Sequence, residues 1–144
     1  CIDYKTKKIT RFYPKSINKE CTTNIINRLL KHSDGNVYAF CNRSVFKCSM
    51  NQTVETVFPD IAIPSPTYSV AQAPDKDIYI GTESNGLYIY SENWKLKKHV
   101  PIDGIIATIL PDNNGDIWLG LDETGICLFN KNKQTFTKDI VISE

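Results

Sequence analysis

Short apolar runs alternate with polar, turn-forming stretches along this chain, and the same order returns three times. "DNNGDIWLGLDETGICLFN", from Asp112 to Asn130, places a turn, a Trp-centred apolar run, a second turn and a second apolar run in succession. "DKDIYIGTESNGLYIYS", from Asp75 to Ser91, keeps that order, and "DGNVYAFCNRSVFKCS", from Asp34 to Ser49, does so again. Aligning the three puts Val37, Ile78 and Ile117 in one register position and Val45, Leu87 and Ile126 in another. Leu30, Ala71 and Leu110 share a third position, upstream of the first. Each unit then divides into four short strands. "NIINRLL", "TYSVAQA" and "IIATIL" are the first, followed by "NVYAF", "DIYIGT" and "DIWLGL". "SVFKC", "GLYIY" and "GICLF" are the third, and "VETVF", "KLKKHV" and "TFTKDI" the fourth.

A period of about 40 residues carrying only strand and turn signals excludes leucine-rich and helical arrays and fits a four-stranded propeller blade. The fold expected is therefore all-β: about three antiparallel meanders over 25–58, 67–100 and 105–142. "CIDYKTKKITRFY" matches the tail of the unit, with Tyr4 at the place of Cys48, Tyr90 and Phe129, so residues 1–13 are expected as the outer strands of a preceding blade. Together they would form an open segment of a larger propeller. "SDGN", "PDKD" and "PDNNGD" supply the Gly or Asn that a tight hairpin needs. The second strands are apolar on both faces, as a sheet sandwiched between two others must be. Gly81 and Gly120 fit a close approach of sheets beside a bulky aromatic. Trp118, Ile117, Leu119, Ile78, Tyr79, Ile80, Val37, Leu87, Ile126 and Leu128 are the expected core. One segment dissents: "CTTNIINRLLKH" has Ile25, Ile26, Leu29 and Leu30 at helical spacing behind a possible Thr cap. Repeat register places it on a first strand instead.

Composition narrows the function. The 144 residues are 41% hydrophobic and 23% charged, which is globular. A net charge of +1 gives no basic field for nucleic acid or anionic lipid. The apolar runs are too short to span a bilayer as helices. The chain does not begin with Met, which fits a fragment or a processed product. Five cysteines (Cys1, Cys21, Cys41, Cys48 and Cys127) cannot all pair internally. No Cys-x-x-Cys spacing supports zinc or redox chemistry, and Cys48 and Cys127 lie in apolar runs as small hydrophobes.

The run Asp-x-x-Gly-x-Ile-Trp-Leu-Gly followed by Gly-Ile/Leu-x-x-Tyr/Phe resembles the two-component regulator propeller repeat. "DNNGDIWLGLDETGICLFN" carries it best, "DKDIYIGTESNGLYIY" well and "DGNVYAFCNRSVFKC" weakly. The resemblance implies the extracytoplasmic, periplasmic sensor region of a hybrid two-component system of the Bacteroides type, upstream of a sandwich domain, a membrane helix and a histidine kinase. It also suggests a glycan or its breakdown products as ligand. A protein-interaction scaffold without a small ligand is the alternative, and part of a propeller lyase a third reading.

A meander sends its loops to two rims. Regular turns occupy one, while irregular connections such as "PDIAIPSPT" share the other with "NRS", "ESN" and "DET". Recognition is usually built on irregular loops held by a rigid scaffold. Asn42, Arg43, Glu83, Asn85, Asp122 and Glu123 are accordingly the candidate ligand-binding residues, although solvated turns would carry the same residue types. Asp112, Asn114, Asp116 and Glu123 fall at calcium-loop positions, but Ile117 stands where that loop needs Gly, so a hairpin is the better reading. Trp118 is expected in the core, and Trp94 over a hydrophobic edge. His32 and His99 are the only histidines, on different repeats, and there is no nucleophile elbow, His-Glu metal motif or phosphate-cradling loop. No catalytic residue, metal or cofactor is expected. The expected partners are the remaining blades of a parent propeller or a second copy covering two open terminal faces.

Overall fold

A computed structural model describes residues 3, 5–9, 26–41, 45–49, 54–56, 63, 65–133 and 135–137. Among these there are twelve strands and no helix, so no helix long and apolar enough to cross a membrane occurs among them. The strands are β1 (Arg28–Lys31), β2 (Val37–Phe40), β3 (Val45–Cys48), β4 (Val54–Thr56), β5 (Thr67–Gln72) and β6 (Ile78–Thr82). They continue as β7 (Leu87–Tyr90), β8 (Leu96–Val100), β9 (Ile106–Pro111), β10 (Ile117–Leu121), β11 (Gly125–Asn130) and β12 (Thr135–Thr137). They form three antiparallel sheets, each four consecutive strands in sequence order, which are three blades.

The helix-like segment is extended where it is described. Arg28 pairs with Phe40, Leu29 with Ala39 and Leu30 with Tyr38. Leu30 is buried while Ile26 and Leu29 are exposed, so the helical spacing does not mark one buried stripe. Ladder hydrogen bonds to β2 override local propensity here. Of the outer pair expected over residues 1–13, the described part is a turn at Lys5 and Thr6 followed by a β-bridge residue, Ile9. The Asp3 carboxylate accepts the Lys5 and Thr6 N–H groups, and Asp3 N–H donates to Lys8 O. The rest of that pair lies outside the described residues.

The same turn joins the first two strands of every blade. His32 N–H donates to Asn36 O, Ala73 to Asp77 O and Asp112 to Asp116 O. The residue ahead of the closing position has positive φ each time: Gly35, Lys76 and Gly115. Glycine takes this conformation freely, and Lys76 takes it at some cost.

Two cores lie between the blades. Leu30, Tyr38, Phe40 and Val45 of the first blade pack on Ile78, Ile80, Tyr88 and Tyr90 of the second. Tyr79, Leu87 and Ile89 on the opposite face of the second blade pack on Ile106, Ile117, Leu119, Cys127 and Phe129 of the third. β6 is therefore buried at every residue, as a strand sandwiched between two sheets must be. At Gly81 an added Cβ would come within 2.6 Å of Ile106 Cγ2 on the next blade, the close approach that its sequence context suggests. Ala39, Cys41 and Phe46 form a third buried cluster on the other face of the first blade.

Four of the expected core residues differ. Trp118, Leu128 and Val37 are half-buried and Ile126 is 39% exposed. Trp118, Leu128 and Ile126 share the outer face of the third blade, with Leu110 at 64% exposure. β10 consequently alternates buried and half-buried where β6 is dry throughout. On the outer face of the first blade Ala39 and Phe46 are buried while Leu29 is exposed, whereas on the outer face of the third Leu110 and Ile126 are both exposed.

Candidate functional site

The irregular rim is assembled where the second strands end. Thr82 closes β6, its hydroxyl donating to Gly86 O at 2.8 Å and accepting Asn85 N–H. That fixes the "ESN" loop. Glu83 N–H then reaches Pro66 O at 3.0 Å, just before the first strand of its own blade. Asp122 N–H makes the same bond to Ile105 O in the third blade. Glu83 and Asp122 thus stand at equivalent places on neighbouring blades, both exposed, held by the same backbone bond.

The remaining candidates divide. Glu123 is exposed with φ 65 and follows Asp122 into a loop closed by Gly125 at φ 91. Asn85 is half-buried and committed to the fold: its Nδ2 donates to Tyr88 OH at 2.9 Å, and its carbonyl lies 2.6 Å from His99 Nε2. His99 stacks on Tyr88 with ring centroids 4.3 Å apart. Asn85 thus pins the loop to Tyr88 and His99. Asn42 and Arg43 lie outside the described residues.

One residue at this rim was not singled out from sequence. Tyr68 sits in a β-bulge between Thr67 and Ser69, beside Thr67 paired with Thr82, and it is 37% exposed. Ala107 fills the matching bulge of the third blade, between Ile106 paired with Leu121 and Thr108 paired with Gly120. Bulges re-aim side chains and are common beside functional sites. "TYSV" alternates in sequence like any half-buried strand, so nothing in it announces the bulge. Ser65 and Ser84 hydroxyls, 3.1 Å apart, tie the interblade connection to the "ESN" loop. The rim therefore presents carboxylates, an exposed phenol and a pinned polar loop, a surface able to bind hydroxyl-rich or cationic groups.

The calcium-loop positions form a hairpin. Asp112 Oδ1 accepts the Asn114 and Asp116 N–H groups, and its Oδ2 accepts Trp118 Nε1–H at 3.2 Å. Burial pushes the Asp112 carboxyl up, but these hydrogen bonds outweigh it and hold its pKa below the usual range. Among the described residues no group of three or more His, Cys, Asp or Glu side chains could hold a metal ion. Trp94 packs over the first interblade core and stacks on His32 at 5.6 Å, while His32 itself is only 4% exposed.

No sequence-family profile and no curated protein matches the chain. Solved structures do. An extracellular domain of a hybrid two-component system from B. thetaiotaomicron superposes with a TM-score of 0.73 at 25% identity, over 94% of this chain and 20% of its own. A second such domain from that organism gives 0.69 at 14% identity, over 87% and 20%. Virginiamycin B lyase from Staphylococcus aureus gives 0.73 at 18% identity over 99% of this chain and 48% of its own, a likeness of fold. The chain spans a fifth of the two-component domains and about half of the lyase. With its repeated turn-strand order and its three antiparallel sheets, the chain is an open run of propeller blades, similar to those of the two-component extracellular domains.

Proposed function

We propose that this chain is a segment of the extracytoplasmic, periplasmic sensing region of a hybrid two-component regulatory system, and that it responds to a glycan or its breakdown products. The observation that carries the reading is the likeness to a two-component extracellular domain over 94% of the chain at 25% identity. The rim supports the ligand class. Sugar hydroxyls hydrogen-bond to carboxylates such as Glu83 and Asp122, and the apolar face of a pyranose stacks on an exposed aromatic such as Tyr68. The segment itself catalyses nothing in this reading: the two histidines of the chain are taken up in aromatic stacks on different blades. Any phosphotransfer belongs to other parts of the parent protein.

Calorimetric titration of the full chain with a panel of neutral and acidic oligosaccharides tests this. One member should bind, and Glu83→Ala and Tyr68→Ala should each weaken it by about tenfold, the size of a lost 1.4 kcal/mol contact. Arg43→Ala, on the equivalent loop of the first blade, should also weaken it. Binding indifferent to all three substitutions would move the ligand off this rim. Turnover of an oligosaccharide would favour a lyase.

A further inference from the structure

The outer face of the third blade has a covered twin within the same chain. Strand register places Thr108, Leu110, Trp118, Ile126 and Leu128 where the second blade has Ser69, Ala71, Tyr79, Leu87 and Ile89. On the second blade that face is dry, with Tyr79 and Leu87 at 0% exposure beneath the third blade. Ser69 Oγ also donates to Ile106 O across the interface at 2.6 Å. Gly81 leaves room for the Ile106 side chain, and Gly120 stands at the same place with only Thr108 of its own sheet near it.

Charge at the turn rim completes the comparison. Asp77, with its side chain 8% exposed, takes Lys131 of the third blade at 3.0 Å and Lys97 of its own blade at 2.6 Å. Lys131 also pairs with Asp75. Glu92 occupies the place of Lys131 one blade earlier. There the opposing turn residue is the neutral Asn36, and Glu92 instead accepts the Ser33 hydroxyl at 2.7 Å. At the interface of the second and third blades, the residue two positions past the aromatic that ends the third strand is thus a cation set on the acidic turn residue it meets, Lys131 on Asp77. On the third blade the turn residue equivalent to Asp77 is Asp116, since Ala73 to Asp77 and Asp112 to Asp116 close the same turn. Among the described residues, β12 has no counterpart of Lys97, which is the extra residue of a β8 bulge that β12 lacks.

We propose that the outer face of the third blade docks a further four-stranded blade of the same chain type that carries Lys or Arg at the position of Lys131, two residues past the aromatic ending its third strand, and sets that cation on Asp116. Its first strand supplies a carbonyl to Thr108 and an aliphatic side chain beside Gly120. The proposal goes beyond the sensing role and does not depend on the ligand.

The test appends a second copy of residues 106–137 after Glu144 of the full chain. Trp94→Phe in the body and Trp118→Tyr in the copy leave Trp118 as the single indole. Docking predicts blue-shifted Trp118 emission and loss of acrylamide quenching. Lys131→Glu in the copy should reverse both, and combining it with Asp116→Lys in the body should restore them. An added blade that gains strand signal in circular dichroism yet leaves Trp118 quenchable overturns the proposal. So does docking that ignores the charge exchange. Concentration-dependent protection of Trp118 in the unextended chain, with dimers in sedimentation, would give the face to a second copy and also overturn it. In the unextended chain, independent of whether the added blade folds, Asp77→Asn should lower the urea midpoint and Asp116→Asn leave it unchanged. Equal losses would break the equivalence on which the proposal stands.

Discussion

Tyr79 and Trp118 hold the same register position in successive blades and differ in what covers them. Tyr79 is wholly buried, and burial followed by the Asp77 charge pushes its phenol up to about 12. Trp118 is half-buried and hydrogen-bonded to Asp112. Tyr79→Ala should therefore cost about 3–5 kcal/mol, through lost burial and the cavity left behind. Trp118→Ala should cost about half of that. Urea unfolding of the two variants checks the order, and equal losses would mean that Trp118 is covered. Asp34 offers a second test. Burial pushes its carboxyl up, but hydrogen bonds from Asn36, Tyr38 and His32 outweigh it and hold the pKa at about 2. The folded value lies below the unfolded one of about 4, so this contribution to stability is present above that pH and lost as pH falls toward 2. Asp34→Asn should flatten the stability curve in that window, and an unchanged slope would contradict the assignment.

At the scale of elements, the interface between second and third blades is closed by small residues as much as by large ones. An alanine methyl at Gly81 meets Ile106 at 2.6 Å and the Ser69 hydroxyl, so Gly81→Ala should cost about 1–3 kcal/mol by overpacking. At Gly120 the added methyl meets Thr108 Cγ2 of its own sheet at 2.5 Å, a side chain that can rotate. The loss there should be smaller, and thermal melts of the two variants decide it. The repeat made most of this legible. Period and turn chemistry gave the strands, and the register of Ile78 with Ile117 gave the blade equivalences. What one blade's sequence does not carry is whether its neighbour is present, which is why Trp118, Leu128 and Ile126 read as core. The rim was legible in part. Glu83 and Asp122 follow from their place after the second strand, whereas Asn85 belongs to a loop pinned through Tyr88 and His99 on later strands. Tyr68 emerges only with the bulge.

At the scale of the whole molecule, the described residues stack as three sheets, in which β6 and β7 of the middle one are buried at every residue and the third has exposed Leu110 and Ile126 on its outer face. The proposed sensing role depends on this scaffold, because Glu83 and Asp122 are matched only through blades in register. Hydrogen exchange of the full chain, resolved by peptide, tests that arrangement most directly. Amide protection follows local unfolding, which is hardest where strands are central and covered. Slowest exchange is expected in β6 and β7, intermediate exchange in β10, and fastest exchange in β12 at the edge of the third blade. Equal protection of β6, β10 and β12, or slow exchange confined to residues 21–32 as in an isolated helix, would contradict it.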